Sequence, residues 1–232
     1  MRVFAIADIH LSRGFPKPMN VFGPLWEGHP EAVFTEWRDT VGEEDLVIVA
    51  GDISWAMKLK EAMLDLEDIA TLPGTKVLLR GNHDYWWPSI TRLREALPPK
   101  MYALQHDSLL IGNLAIAGSR GWDTPGSWGF GEEDEKIYRR ETERLSLSLS
   151  STKALRYEHL ILALHYPPYS ATGGPTGFTE LIDEYRPACV VYGHLHGADP
   201  NRLPKEWNGT PLHFVSADVL RFRPKLILEV PS

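Results

Sequence analysis

Apolar residues along the chain fall into two recurring rhythms. Val3-Phe4-Ala5-Ile6-Ala7 and Leu46-Val47-Ile48-Val49-Ala50 are unbroken apolar runs containing β-branched residues, a pattern that predicts strands buried on both faces of a largely parallel sheet. Between them, Val33, Phe34, Trp37 and Val41 recur at helical spacing over Glu31–Val41, with Pro30 suited to a first turn. A stronger periodicity puts Leu59, Ala62, Met63, Leu66, Ile69 and Ala70 on one helical face, and Pro73-Gly74 stops it before a strand at Lys76–Leu79. Pro88–Leu97 reads as a further short helix, opened by a proline and closed by Pro98-Pro99.

The second half changes rhythm. Leu109–Ile111 and Leu114–Ala117, joined by Gly112-Asn113, predict a hairpin and so an antiparallel pair. Glu132–Leu149 predicts a long helix whose four leading acids suit the positive end of its dipole, with Arg139, Arg140 and Arg144 further along. Those mixed charges read as a solvated helix face. Strands at Leu160–Leu164 and Cys189–Tyr192 flank a helix near Thr179–Tyr185, and two more strands are expected at His213–Ala217 and Leu226–Val230. The alternation predicts an α/β fold of mixed α+β character, and with no linker in sight residues 1–232 read as a single domain. The loops Gly14–Pro30 and Pro167–Gly177 exceed most connections in length, as loops covering a site do.

Composition adds exclusions. With 43% hydrophobic and 24% charged residues, the chain has the balance of an ordinary soluble globular protein. It contains no apolar run near the length of a membrane span, and the run after Met1-Arg2 is too short for a signal peptide, so a cytoplasmic location is expected. The single cysteine, Cys189, rules out an internal disulfide and a thiolate metal cluster; any metal here is held by His and oxygen ligands. A net charge of -7 argues against a general polyanion binder, so no long nucleic acid is expected as a partner.

The candidate chemistry sits where the apolar runs stop. Five of them end in Asp8-Ile9-His10, Gly51-Asp52, Gly81-Asn82-His83-Asp84, His165 and Gly193-His194-Leu195-His196. Ligands of open α/β sheets gather at the carboxyl ends of the strands, so these residues can converge although they span most of the sequence. Residues two apart in an extended segment point to the same side, which lets Asp8 with His10, and His194 with His196, face one cavity. A lone His or Asp at a strand end is more often a cap or a turn residue. Five such ends together, however, would suffer heavy desolvation and like-charge repulsion without a cation, so the clustered set implies metal.

Taken in order, these motifs resemble the calcineurin-like metallophosphoesterase superfamily, with five blocks matching between residues 8 and 196. The resemblance implies two stacked mixed sheets flanked by helices, a four-layer αββα sandwich. It implies that Asp8, His10 and His196 hold one divalent metal ion, that Asn82, His165 and His194 hold a second, and that Asp52 bridges both. His83 would then be the catalytic histidine, with Asp84 beside it to orient its ring.

Carboxylate, amide and imidazole ligands without sulfur suit Mn or Fe, with Zn possible, and do not suit Mg. Two such ions roughly 3.5–4 Å apart lower the pKa of a bridging water, making it the nucleophile, and clamp phosphate oxygens. The implied function is a metal-dependent phosphohydrolase, foremost a phosphodiesterase on a small phosphorylated substrate. The alternatives are a nuclease on short nucleic acids and a non-catalytic interaction scaffold of the same fold. Arg120, Trp86 and Tyr169 are the candidate substrate contacts, because an arginine can pair with a second phosphate and aromatics can stack on a base. The tryptophans of Tyr85-Trp86-Trp87 equally suit packing beneath the helices.

Overall fold

The computed structural model describes residues 1–230, so the last two positions of the expected 1–232 domain lie outside the described residues. The apolar runs form two sheets. The first has five strands in the order β11-β1-β2-β3-β4, namely Lys225–Glu229, Arg2–Ile6, Leu46–Ala50, Thr75–Leu79 and Met101–Leu104. All are parallel except β11, which runs antiparallel to β1. The second sheet has six, in the order β5-β6-β7-β8-β10-β9: Ser108–Ile111, Leu114–Ser119, His159–Leu164, Cys189–Tyr192, Thr210–Phe214 and Glu206–Trp207. Its four central strands are parallel and the two outer ones antiparallel.

Alternation along the strands dictates how the layers stack. Val3, Ala5, Ile48, Val77 and Leu79 of the first sheet meet Ile116, Ile161, Ala163 and Val191 of the second in one inter-sheet core. The other faces take helices. Phe4, Ile6, Val47, Val49 and Leu78 pack with α1 (His29–Thr40), α2 (Leu59–Ala70) and α3 (Ile90–Ala96). Ala115, Leu162, Leu164 and Val190 pack with α4 (Glu132–Ser151) and α5 (Gly177–Tyr185). The result is the expected αββα sandwich with strands buried on both sides. Trp37 anchors α1: it is fully buried and its indole N–H donates to the Pro73 carbonyl at 3.0 Å. Truncating so large a buried side chain costs about 3–5 kcal/mol.

The predicted elements agree with the observed ones within a few residues, with three differences. The strand expected at His213–Ala217 lies at Thr210–Phe214, because the chain then leaves β8 and crosses to the first sheet: Ala7 N–H donates to Val215 at 2.8 Å and Ala217 N–H donates to Ala7 at 2.9 Å. The short edge strands β4 and β9 are further additions: β4 is an apolar run of only four residues just after Pro98-Pro99, with Tyr102 exposed, and the two residues of β9 carry no apolar pattern. Two 3-10 turns, Met19–Phe22 and Pro24–Trp26, give the long loop after β1 a structure of its own. Among the described residues no helix is long and apolar enough to cross a membrane.

Candidate metal centre

β1, β2 and β3 are mutually parallel, as are β7 and β8, and the side chains that follow their carboxyl ends meet at one edge of the sandwich. The approach is so tight that side chains are excluded from the glycine positions. A Cβ on Gly81 would lie 2.1 Å from Asp52 Oδ1, and one on Gly193 would lie 2.6 Å from Asp8 Oδ2. Local backbone is distorted as well. Asp8, His10, Asp52 and His194 all have positive φ, between 45° and 71°, a conformation that non-glycine residues adopt at a cost and that clusters at functional sites.

Two groups of donors face each other across Asp52. His10 Nε2 lies 3.1 Å from His196 Nε2, with Asp8 within reach of both. Asn82 Oδ1 lies 2.7 Å from His165 Nε2 and 3.1 Å from His194 Nδ1. Asp52 Oδ2 is 3.7 Å from His10 Nε2 and 3.5 Å from His165 Nε2, so one oxygen addresses both groups. Its other oxygen accepts the His83 backbone N–H at 2.8 Å. The Asp8 carboxylate accepts the His194 N–H at 2.9 Å, which ties the ends of β1 and β8 together. His165 Nδ1 lies 3.0 Å from the Ala50 carbonyl; as the donor of that bond it leaves the Nε2 lone pair turned inward.

The electrostatics fit a cation. Burial, then the nearby Asp52 charge, pushes the Asp8 carboxyl up to about 8. Burial also raises Asp52, though the His83 N–H and neighbouring imidazoles oppose it. Burial pulls His165 and His194 down to about 3 and holds His10 well below the ordinary imidazole value. Asp8 Oδ1 and His10 Nδ1 are buried without a hydrogen-bond partner. Neutral imidazoles and crowded carboxyls with lone pairs turned inward are the state that divalent cations relieve. Ligands about 2.0–2.2 Å from a shared ion stand about 3 Å from one another, which matches the approaches of His10 to His196 and of Asn82 to His165 and His194.

His83 stands at the mouth of this cluster. Burial lowers its pKa against the pull of Asp52, so the ring is neutral at neutral pH. It packs 4.5 Å from the Trp55 ring and 5.7 Å from that of His10. Asp84 does not orient it, contrary to expectation. The Asp84 carboxylate accepts N–H groups of Ile53 (2.9 Å), Ser54 (3.2 Å) and Gly81 (2.7 Å), and the Trp86 indole N–H (2.9 Å). Backbone donors of the loop after β2 lie closer than the neighbouring ring, so Asp84 fastens that loop to the loop after β3. Burial, together with Asp52, raises its pKa to about 7.

The expected substrate contacts divide. Trp86 is buried with its indole on Asp84 and packs under the site. Tyr169 is buried too, its hydroxyl 2.9 Å from that of Tyr192, yet it also edges a cavity shared with Tyr166 and His194. Arg120 points away into a separate cavity described below.

Residues not anticipated from sequence complete the centre. Asp218 Oδ2 lies 3.7 Å from His196 Nδ1 and accepts the Gly197 N–H, while Oδ1 accepts the Ser216 hydroxyl. Burial works to lower the His196 pKa, but Asp218 and Asp8 outweigh it and leave it raised. A cavity of about 390 Å³ opens beside His10, His83 and His196, walled by Met19, Phe22, Trp26 and Trp55. Asp218 directly follows the strand expected at His213–Ala217, but Ser216 interrupts that run and no glycine precedes the acid, so the pattern did not single it out.

The calcineurin-like phosphoesterase family model matches residues 1–198. No curated protein matches the chain in sequence. Among solved structures, the phosphopantetheinyl hydrolase PptH from Mycobacterium tuberculosis is similar with a TM-score of 0.63 at 14% identity, covering 99% of this chain and 96% of that one. TT1561 of Thermus thermophilus is similar with a TM-score of 0.55 at 16% identity, over 83% and 81% of the two chains. At such identities the likeness speaks to the fold.

Proposed function

We propose, from the premise that the chain belongs to the calcineurin-like phosphoesterase family and is a phosphoester hydrolase, that it is a phosphodiesterase acting on a small phosphorylated substrate. In this reading residues 1–232 form one domain. Asp8, His10 and His196 hold one divalent ion, Asn82, His165 and His194 hold another, and Asp52 is shared. Mn or Fe suits this sulfur-free donor set best, and Zn is the next choice. Bound there, two divalent ions supply an ionised water as nucleophile and clamp phosphoryl oxygens.

The protein's own groups do the rest. His83, neutral and at the cavity mouth, donates its ring N–H to the phosphoryl or leaving oxygen. Asp84 keeps the His83 loop in place through backbone bonds rather than through the ring. Trp26, Trp55, Met19 and Phe22 offer an apolar wall to the organic part of the substrate. Phosphopantetheinyl compounds, which the similar PptH hydrolyses by its name, belong among the small diesters to test.

The observation that carries the reading is Asp52 Oδ2, 3.7 Å and 3.5 Å from imidazoles of the two groups. The test is hydrolysis of bis-p-nitrophenyl phosphate and p-nitrophenyl phosphate by protein loaded with Mn and assayed for metal content. A preference for the diester is expected. Two bound metals with no hydrolysis of either ester would sink the catalytic reading in favour of a scaffold.

A further inference from the structure

A separate cavity of about 300 Å³, polar where the one beside His83 is apolar, lies where β4 and β6 adjoin α4, and Arg80, Arg120, Arg140 and Arg144 line it with Glu141 and Ser119. Four guanidiniums face one carboxylate. Glu141 is only 2% exposed and is already engaged by Arg144 at 2.7 Å and, more loosely, by Arg120 at 3.6 Å. Among the described residues Arg80 and Arg140 have no carboxylate partner, and the Nε atoms of Arg80 and Arg120 are buried without any hydrogen-bond acceptor. Burial lowers even the Arg120 pKa, with Arg80 and Arg140 adding to the effect against Glu141. Packing so many like charges around unsatisfied donors is unfavourable unless an anion joins them. A guanidinium's planar fork of donors matches the oxygens of a phosphate.

We infer that this cavity is a binding site for a phosphate group, distinct from the one attacked at the metal centre. Two of its arginines are joined to that centre by the backbone: Arg80 directly precedes Gly81, and the Arg120 carbonyl accepts the N–H groups of His165 and Tyr166 at 3.0 and 3.1 Å. The other two, Arg140 and Arg144, lie one turn apart on α4, with Glu141 between them in sequence. The phosphate is either a second phosphoryl group of the substrate or free inorganic phosphate. The first source rests on the hydrolytic reading; the second does not.

Equilibrium dialysis of metal-loaded, full-length protein with labelled inorganic phosphate tests the site without turnover. Wild type should bind one more phosphate per chain than Arg140→Glu, a reversal on the exposed side of the cavity, or bind it at least about tenfold more tightly. Arg144→Gln provides a second variant with the charge removed rather than reversed. Equal stoichiometry and affinity in all three proteins would overturn the inference. The source is read from KM on thymidine 3′-phosphate 5′-(p-nitrophenyl phosphate) relative to thymidine 5′-(p-nitrophenyl phosphate). A roughly tenfold rise of that ratio in Arg140→Glu assigns the site to the substrate's second phosphate. An unchanged ratio with the phosphate equivalent lost supports the site and assigns it to the free anion. An inactive protein that still loses one phosphate on substitution keeps the site and removes the hydrolytic reading.

Discussion

His10 and His196 sit against indoles, whereas His165 and His194 sit against backbone and a tyrosine. The His10 ring stacks on Trp55 at 4.6 Å, and that of His196 approaches Trp26 at 5.6 Å, with the apolar cavity beyond. In the other group His165 is fully buried and bonded to Ala50, and His194 lies 3.9 Å over Tyr166. His196 retains 38% side-chain exposure and depends on Asp218 for its orientation. Asp8 and His10 are as buried as His165, so the first group opens only at His196, on the space where a substrate's organic part would rest, while the second borders the cavity beside Tyr166 through His194. In the proposed assignment a single enzyme centre joins a half lined by a tyrosine to a half lined by indoles and accessible at His196.

Four perturbations separate these halves. Asp52→Asn strikes both, because its carboxylate is shared. Turnover should fall on the order of 10³-fold, with fewer than two metals retained by elemental analysis; full activity with full metal content would end the bridging assignment. His83→Ala strikes neither ligand group. It should keep both metals yet lose about 10²-fold in kcat on a diester with a poor leaving group, and lose less when the leaving group is p-nitrophenolate. Asp218→Asn touches only the accessible half. A drop of about tenfold in the affinity for one metal, with the second unchanged, is expected in a competitive chelator titration; equal weakening of both would erase the distinction.

The gentlest test removes the metals. In metal-free protein Asp8 titrates at about 8 and Asp84 at about 7, against an ordinary value of 3.8. Below about 6.5 the buried neutral imidazoles of His10, His165 and His194 oppose this effect, but between about 6.5 and 8 the folded state holds carboxyl protons that the unfolded chain has released, so the stability of metal-free protein should fall as pH rises through that upper window. Thermal melts across it check the sign. Bound metal favours the ionised Asp8 and should flatten or reverse the slope, and an identical slope with and without metal would contradict a cation at Asp8.

Much of this centre was readable because its residues announce themselves twice, by type and by position. Each of Asp8, Asp52, Asn82, His165 and His194 follows an apolar run, and three of them follow a glycine that close packing requires. Asp218 lacks such a frame: Ser216 interrupts the run before it, and the crossing between sheets cannot be seen in a hydropathy pattern. Asp84 shows a different limit. Adjacency to His83 in sequence suggested contact, but the carboxylate is held by N–H groups thirty residues away in the chain, a matter of loop geometry. Arg140 and Arg144 were hidden within a helix whose other charges, such as Lys136 with Glu133 and Arg139 with Glu135, do form ordinary exposed pairs. Nor could an aromatic's letter tell a cavity wall, as for Trp55, from packing, as for Trp86.

The crossing of Val215–Ala217 from one sheet to the other has a mechanical side. Asp8, His10, Asp52 and Asn82 follow strands of the first sheet, and His165, His194 and His196 follow strands of the second. If the two layers slid by one residue, about 3.3 Å, the 3.1 Å approach of His10 to His196 would open into a gap. The bonds at Ala7 work as a rivet against that shear, placed at the very edge where the two sheets must stay in register.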